Sequence, residues 1–418
     1  MARLSSKLLF GSEGVDWEER INFARMREER LSRARAAMKK HGIAACLLCQ
    51  PDNVRYVTGI TFPTFLPQLD YVLLCAGHEP VYYQRLGRVM KGCPWIRPEN
   101  FKVALTKWRG YGSGPEATWA LAKRFAADMK DTLKEKGLEK ERLGIDGFDE
   151  PAKQALREAG IKLVEVMPVM LEARAAKTKD EINCLKMAAA IVDVAWQAVY
   201  EAIKPGIRDR EIEAVAHEAL LRAGAETIGF VPVTSGAPAR STDKRVQVGD
   251  VVTIDFVGIT YMGYTTCYYR SFVVGRKPTA KERDMHKKCY ERIYKVIEAI
   301  RPGATTADAA EHFAPATNYG HPSEEYLVGH DLGHGLGLSM YEYPVIERLY
   351  SFQYPQTFEK GMVLAVEAQE DDPSVGLIKL EEMVIISDNG AEVYTRMPIE
   401  EMMIASPIFT TTEFKSSS

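Results

Sequence analysis

The chain has little net charge, few cysteines for its length and no long apolar run. Among its 418 residues, 54 basic and 57 acidic side chains leave a formal net charge of −3. This balance gives no reason to expect a nucleic-acid or membrane-surface partner. No apolar run approaches the roughly 20 residues that span a bilayer, and residues 1–10 lack the apolar stretch of a signal peptide. Seven scattered cysteines do not make a disulfide framework, so we expect a cytoplasmic protein.

The length of the chain and a change of pattern near residue 175 predict two domains. A chain of this length exceeds one ordinary hydrophobic core. Residues 1–174 alternate helical and strand signals, which favours a smaller α/β layer domain. Residues 175–405 place helices early and polar positions on late strands, which indicates an α+β domain. Residues 406–418 are expected to be a C-terminal tail.

Helix signals in the second domain are strong. Thr178 and Glu181 have the spacing of a capping box, and the apolar stripe that follows ends at Pro205-Gly206. Thr279 and Glu282 repeat the capping pattern. The remaining predictions are helices at 209–223 and 306–314, and strands at 228–233, 250–257, 269–274, 363–368, 376–386 and 391–395.

Five polar residues stand out in this domain. Asp255 ends a β-branched run, Glu367 and Glu381 interrupt apolar strands, and His334 lies among glycines. Carboxylates in such strands need a compensating charge, and the sequence offers few Arg or Lys at matching positions. Together with an imidazole they suit Mn, Fe, Co or Zn, and two close ions can clamp a bridging hydroxide. Cys267 completes the set.

Each of these residues also has a structural interpretation. A histidine in a glycine-rich loop is often structural, and strand glutamates form salt bridges as readily as metal bonds. Cys267 taken by itself has the character of a small buried hydrophobe. Cys46 and Cys49 lie in an apolar strand with no second cysteine pair, so we predict that they are core residues.

The order of these motifs resembles the superfamily that includes methionine aminopeptidase, Xaa-Pro peptidases, prolidase and creatinase, the pita-bread fold. The similarity covers most of residues 173–400, and the first domain resembles the N-terminal domain of creatinase and the prolidases. The matching segments are Asn53-Val-Arg-Tyr-Val-Thr-Gly59, Arg174-Ala-Ala-Lys177-Thr-Lys-Asp-Glu181, Gly249-Asp-Val-Val-Thr-Ile-Asp255, Gly263-Tyr264, His330-Asp-Leu-Gly-His334-Gly-Leu-Gly337, Gly361-Met-Val-Leu-Ala-Val-Glu367 and Lys379-Leu-Glu381-Glu382.

The resemblance implies a ligand set with one departure. In that superfamily the metal ligands run Asp, Asp, His, Glu, Glu; Asp255, His334, Glu367 and Glu381 match, and Cys267 stands at the second Asp position. A thiolate offers one soft atom where aspartate offers two oxygens. One or two divalent ions of Mn, Fe, Co or Zn are therefore implied, and a site without metal stays open.

Two further departures concern histidines. The peptidases keep one in the loop before the Gly-Asp strand, where residues 238–242 have none, and one after the His-Gly-x-Gly motif, where Tyr341 stands. Those histidines position the peptide and shuttle protons. The resemblance therefore implies the non-peptidase branch: a metal-dependent hydrolase of a C–N bond in a small polar or zwitterionic metabolite. A homodimer is implied by creatinase and prolidase.

Further residues receive roles through the same resemblance. His330, the retained histidine beside the site, would orient the substrate or stabilise negative charge, and Tyr341 would transfer a proton. Arg240 and Arg270 are candidates for binding a substrate carboxylate, with a structural role as an equal alternative for Arg270.

Two other functions compete with the hydrolase. Residues 255–270 and 378–382 are similar to the dimethylsulfoniopropionate lyases of this superfamily, although these carry an additional Asp where Val257 stands. A lyase of that kind would break a C–S bond by proton abstraction. The third possibility is a metal-free pita-bread enzyme or binding protein, since creatinase is a hydrolase without metal.

Overall fold

The structure is a computed structural model, and it describes residues 20–61, 67–85, 93–108, 111–236, 240–327 and 332–408. The described chain forms two compact units. One unit is Asn22–Arg174, and the other comprises residues 20–21 and the described residues from Ala175 onward. Both units combine helices with β-sheets.

The N-terminal unit is built on a six-stranded sheet in the order β4-β3-β2-β1-β5-β6. The β1–β2 and β2–β3 pairs are antiparallel, and the other pairs are parallel. This is the α/β layer that the alternating pattern predicts. Its helices are α1 Phe23–Lys40, α2 Pro51–Thr58, α3 Pro115–Glu135, α4 Glu150–Glu158 and α5 Met167–Ala175; its strands are β1 Ala45–Leu48, β2 Tyr71–Cys75, β3 Val81–Gln84, β4 Phe101–Val103, β5 Arg142–Ile145 and β6 Lys162–Glu165.

Cys46 and Cys49 are fully buried at β1, as predicted for core residues. Neither belongs to a metal-ligating group among the described residues. The buried carboxylate beside them is Asp146, which accepts hydrogen bonds from the Cys49 N–H at 2.7 Å and from Asn53 Nδ2 at 3.0 Å. Arg174 Nη1 donates to Asn53 Oδ1 at 2.6 Å. Asn53 therefore joins helix α2 to the sheet, which is a structural role.

The helices of the second unit begin where their capping residues stand. Thr178 Oγ1 accepts from the Glu181 N–H at 3.3 Å, and Glu181 Oε2 accepts from the Thr178 N–H at 2.8 Å. Thr279 and Glu282 form the same reciprocal pair. Both predicted capping boxes are confirmed, because each satisfies two otherwise unpaired N–H groups. The helices are α6 Lys179–Ala202, α7 Asp209–Ala223, α8 Ala280–Ala299, α9 Thr306–Ala310 and α10 Arg348–Gln353.

The strands of the second unit form two larger sheets and a hairpin. One sheet has the order β17-β11-β8-β7, the other β13-β12-β14-β15-β16, and β9 pairs with β10. The strands are β7 Val233–Ser235, β8 Val251–Asp255, β9 Ile259–Tyr261, β10 Tyr264–Thr266, β11 Tyr269–Val274, β12 Gly333–Gly335, β13 Glu342–Ile346, β14 Val363–Asp372, β15 Gly376–Ser387, β16 Gly390–Val393 and β17 Met403–Ala405.

Helix α6 anchors the first of these sheets through Trp196. Its ring contacts Phe256 at a centroid distance of 4.6 Å, Tyr268 at 5.6 Å and Phe272 at 5.8 Å. Phe256 directly follows β8, Tyr268 directly precedes β11 and Phe272 lies on β11. The helix therefore packs against both strands and holds them together. The polar ends of β8 and β11 are thereby held in a defined position.

One described helix, α6, is long and apolar enough by length and composition to cross a membrane. Half of the stretch that meets this criterion is buried inside the unit. Leu185, Val192 and Trp196 belong to its buried face. Core helices meet the same criterion, and the buried stripe identifies α6 as one of them.

The predicted strand at 228–233 is wrong. The chain there makes single bridges, Phe230 with Val257 and Thr227 with Thr260, and regular pairing begins only at Val233. Pro232 has no N–H to donate to a ladder. Gly229 also approaches the neighbouring backbone closely, since a Cβ there would lie 2.5 Å from the Val257 carbonyl oxygen.

Candidate metal centre

Asp255 is the last residue of β8, whose five residues are all buried. Its Oδ1 accepts a hydrogen bond from the Tyr268 N–H at 3.2 Å and lies 4.0 Å from Cys267 Sγ. Burial raises the pKa of the Asp255 carboxyl to about 7; Lys379 opposes this shift and Glu367 adds to it. A cation beside Asp255 would therefore favour its ionised form.

Cys267 lies between β10 and β11, with its side chain buried. Burial raises the pKa of the thiol well above its usual range, and the carboxylates of Asp255, Glu381 and Glu367 raise it further. A thiolate, the form that binds metal, needs a positive charge beside it in such surroundings. Cys267 can therefore act as an anionic ligand only together with a cation.

His334 is held on the short strand β12 between two glycines. A Cβ at Gly333 would lie 2.6 Å from the Ala365 carbonyl oxygen, and one at Gly335 would lie 2.5 Å from that of Tyr343. Only glycine permits these approaches. The His334 imidazole is buried, with Nδ1 3.3 Å from the Gly335 carbonyl oxygen. A proton on Nδ1 would donate to this carbonyl and leave Nε2 as a neutral ligand nitrogen.

Glu367 and Glu381 lie on neighbouring antiparallel strands, β14 and β15, and both side chains are buried as predicted. Neither carboxylate oxygen of Glu381 accepts a hydrogen bond from an N–H or O–H group of a described residue. Burial raises the pKa of Glu381 well above its usual range, and the charges of Glu367 and Asp255 raise it further. Buried oxygens without donors are positions that a metal ion would satisfy.

Lys379 is the residue that sequence reasoning missed. Its Nζ lies 2.5 Å from Glu367 Oε2 and 4.1 Å from the centroid of the Tyr269 ring. Burial acts to lower the pKa of Lys379, but Glu367, Glu381 and Asp255 together raise it above its ordinary value. The expectation that few Arg or Lys stand at positions matching these carboxylates therefore overlooked Lys379. The two-residue spacing from Glu381 was the available signal, because alternate residues of a strand share a face.

The residues present fit a divalent transition metal ion. Ligand atoms of Cys267, His334 and Glu381 all lie within 4.8 Å of one another, and all three residues are buried. One sulfur, one nitrogen and one oxygen donor make a set that zinc, cobalt and iron accept. The chain brings these residues together from three separate strands or turns, which argues for a built site.

Tyr341, Arg240 and His330 are the other site residues that the sequence predicts. Tyr341 is half exposed, and its ring lies over His334 at a centroid distance of 4.4 Å and a tilt of 37°. Arg240 is exposed. His330 falls within 328–331, outside the described residues. The contact with His334 places Tyr341 beside the candidate centre.

Arg270 has the contacts of the structural alternative rather than those of a substrate-binding residue. Its side chain is 1% exposed, and Nη2 donates to Glu382 Oε2 at 3.0 Å. Protein acceptors engage all three guanidinium nitrogens; the remaining acceptors are the carbonyl oxygens of Tyr269, Glu381, Met397 and Pro398. The substrate-binding prediction for Arg270 is corrected on this ground, since a guanidinium has only five N–H donors.

Two family profiles match the chain: metallopeptidase family M24 over residues 183–388, and the creatinase/prolidase N-terminal domain over residues 30–176. The Xaa-Pro dipeptidase of Pyrococcus furiosus is 28% identical over 88% of this chain and 98% of its own length. The uncharacterized peptidase YqhT of Bacillus subtilis is 30% identical over 90% of this chain and 100% of its own length. The prolidase structure from Pyrococcus horikoshii OT3 matches with a TM-score of 0.66 and 26% identity, covering 90% of this chain and 100% of that one.

The fold and these matches define the class: a creatinase-like N-terminal domain followed by a pita-bread catalytic domain. The chain belongs to metallopeptidase family M24. The predicted superfamily and fold are thus confirmed, and the chain is a metal-dependent hydrolase of the M24 type. The lyase alternative gains no support from these matches.

Proposed function

We propose that this chain hydrolyses a C–N bond in a small polar or zwitterionic metabolite with the help of a divalent transition metal ion. The observation that carries the proposal is the buried grouping of Cys267, His334 and Glu381, with ligand atoms within 4.8 Å of one another. The carboxylate of Glu381, without an N–H or O–H donor among the described residues, supports it. Such a group is costly to bury unless an ion completes it.

The proposed ligands are Asp255, Cys267, His334, Glu367 and Glu381, and the proposed ions are Mn, Fe, Co or Zn. When bound, such an ion polarises the scissile group or lowers the pKa of a water molecule. The protein supplies buried carboxylates around it, those of Asp255, Glu367 and Glu381. Lys379 holds Glu367 in place through the 2.5 Å ion pair.

Tyr341 is the proposed proton-transfer residue. Its ring lies over His334, and 52% of the residue is exposed, so it stands between the buried ligands and solvent. A phenol there can donate a proton to the departing nitrogen through its Oη. Arg240, which is exposed, is the proposed partner of a substrate carboxylate. His330 is proposed to orient the substrate.

A small metabolite is favoured over a general peptide by the residues that the chain lacks. Residues 238–242 and 339–342 contain no histidine at the positions where the related peptidases keep one. Without those imidazoles, the groups that would position a peptide and shuttle its protons are missing. Tyr341 occupies the second of these positions.

Xaa-Pro dipeptides are the second candidate substrates. They are supported by the similarity to the Xaa-Pro dipeptidase of Pyrococcus furiosus, which this chain matches over 98% of that protein's length. Dipeptides are also small zwitterions, so a common binding mode is chemically reasonable. The two candidates differ in whether the broken bond is a peptide bond.

The test is a substrate panel with the metal-loaded full chain. The protein is loaded separately with Mn²⁺, Co²⁺ and Zn²⁺ and incubated with Xaa-Pro dipeptides, N-methyl amino acids and betaines, with products followed by mass spectrometry. Faster cleavage of non-peptide C–N bonds than of Xaa-Pro dipeptides supports the proposal. Cleavage of Xaa-Pro dipeptides alone favours the second candidate.

The matched control for this panel is His334→Ala, which removes a proposed ligand from β12. It should abolish metal-dependent turnover while leaving the circular dichroism spectrum unchanged. No hydrolysis of any compound by a wild-type protein that has bound metal would contradict both candidates. Release of dimethyl sulfide from dimethylsulfoniopropionate would instead indicate a lyase.

We also propose that the chain forms a homodimer, on the resemblance to creatinase and prolidase. Light scattering coupled to size-exclusion chromatography tests this directly. The 46.8 kDa chain should elute with about twice that mass. A monomer mass across the micromolar range would refute the dimer without affecting the proposed reaction.

A further inference from the structure

The five proposed ligands divide into two groups. Cys267, His334 and Glu381 form one, because their ligand atoms all lie within 4.8 Å of one another. Asp255 and Glu367 are not part of that group. The site therefore has one compact position for an ion and, beside it, two further carboxylates.

The ammonium group of Lys379 lies beside one of those two carboxylates, that of Glu367. Its Nζ is 2.5 Å from Glu367 Oε2 and 4.1 Å from the Tyr269 ring centroid. Tyr269 stands opposite Asp255 in the β8–β11 register. Lys379 thus contacts Glu367 and the ring of the residue that pairs with Asp255. Both partners of the ion pair are largely buried, with side-chain exposures of 17% and 7%.

The chemistry of Cys267 also favours a single ion over two. Two ions about 3.5–4 Å apart are usually held by ligands that offer an atom to each. A carboxylate supplies two oxygens, whereas a thiolate supplies a single soft sulfur. The sulfur suits one ion in the compact position. A second dication near Asp255 and Glu367 would also meet the positive charge of Lys379.

We propose that the site takes one divalent ion of the zinc class on Cys267, His334 and Glu381, and that the Lys379 ammonium group replaces a second ion beside Asp255 and Glu367. This inference rests on the proposed metal-dependent function and specifies its metal count. It also assigns Lys379, which is not a ligand, a positioning role: it holds Glu367 and balances the charge of the two carboxylates.

Metal stoichiometry tests the inference without any turnover. The full chain is stripped with a chelator, dialysed against Zn²⁺ or Co²⁺, and analysed for metal per chain. We expect one ion per chain for the wild type and two for Lys379→Met, because the variant releases Asp255 and Glu367. Lys379→Arg keeps the charge and should bind one. Two ions in the wild type, or one in a folded Lys379→Met, would overturn the inference.

The absorption spectrum of the cobalt-loaded protein gives a second readout. A Cys267 thiolate on Co²⁺ should produce a thiolate-to-metal charge-transfer band in the near ultraviolet, and Cys267→Ser should lose it and bind zinc at least about tenfold more weakly. A wild-type spectrum without the band would overturn the assignment of Cys267. The wild-type metal count and spectrum decide the number of ions and the role of Cys267 even where Lys379→Met does not fold. In that case Lys379→Gln, which also removes the charge, takes its place and should bind two ions.

The matched control for the charge is Lys360→Met, on an exposed lysine paired with Asp388 at the surface. It should leave the metal count at one, and a count of two would overturn the specific role of Lys379. The outcomes are distinct from those of the substrate panel. One ion with a charge-transfer band but no hydrolysis leaves this inference standing and refutes the proposed function. Two ions per chain together with hydrolysis would refute this inference and leave the proposed function standing.

Discussion

Glu367 on β14 and Glu381 on β15 stand directly opposite each other in an antiparallel register, and both are buried. Opposite residues of such a pair have Cβ atoms about 4.5–5.5 Å apart, where like charges are destabilising. Lys379 pairs with Glu367 at 2.5 Å, and the oxygens of Glu381 accept no hydrogen bond from an N–H or O–H group of a described residue. The pair therefore has one built-in cation and one position that an external cation would stabilise.

Replacing Cys267 by aspartate should couple stability to metal. In the chelator-treated protein, Cys267→Asp adds a fourth buried carboxyl group to those of Asp255, Glu367 and Glu381 and should lower the free energy of unfolding by about 1–3 kcal/mol. Zn²⁺ or Mn²⁺ at about a hundred times its dissociation constant should restore about 2.7 kcal/mol. Urea unfolding with and without metal measures both changes.

The control for this prediction is Cys289→Asp, at a buried cysteine of α8 in the hydrophobic core. It should destabilise the protein by a similar or larger amount, and metal should not rescue it. Equal metal responses in the two variants would contradict a place for Cys267 in the metal centre.

Variants of Arg270 and Arg240 should distinguish a structural arginine from a substrate-binding one. Arg270→Met breaks a buried ion pair with Glu382 and should cost about 3–5 kcal/mol of unfolding free energy. Arg240→Met changes an exposed side chain and should alter stability by less than about 0.5 kcal/mol. It should raise KM about tenfold or more for a carboxylate substrate. An unchanged KM in Arg240→Met would remove Arg240 from the proposed site.

His286 on α8 should make the protein less stable in acid. Burial lowers the pKa of His286 to about 4, with a further contribution from the charge of Arg270. A histidine with a lowered folded pKa stabilises the fold above its unfolded pKa of about 6.5 and loses that contribution as pH falls towards 4. The loss should reach about 3 kcal/mol. Urea unfolding of chelator-treated wild type between pH 7.5 and about 4.5 measures it, while His286→Gln isolates the His286 part of the slope.

Tyr341 should matter for turnover and not for folding. Its phenol is removed by Tyr341→Phe, which keeps the ring over His334. We expect kcat to fall about a hundredfold or more, with a change in the pH profile, and stability to stay within about 0.5 kcal/mol. Tyr350→Phe, at another exposed tyrosine, should leave kcat unchanged. Equal kcat values for Tyr341→Phe and wild type would exclude proton transfer by Tyr341.

Local patterns predicted much of the fold. The capping boxes at Thr178 and Thr279 and the late strands all agree with the structure, because each depends on residues near one another in the chain. The strand predicted at 228–233 was wrong, since its pairing depends on a partner segment and on the missing N–H of Pro232.

The polar positions Asp255, His334, Glu367 and Glu381 could be recognised from sequence, because a charged residue in a buried strand needs a partner. Which partner each one has was decided by the tertiary structure. Strand register places Glu367 opposite Glu381, and packing brings Lys379 to Glu367 rather than to solvent. The grouping of Cys267 with His334 and Glu381 joins residues that lie 47 to 114 positions apart in the chain. Only long-range strand pairing can create such a neighbourhood, because local sequence carries no information about distances between distant segments.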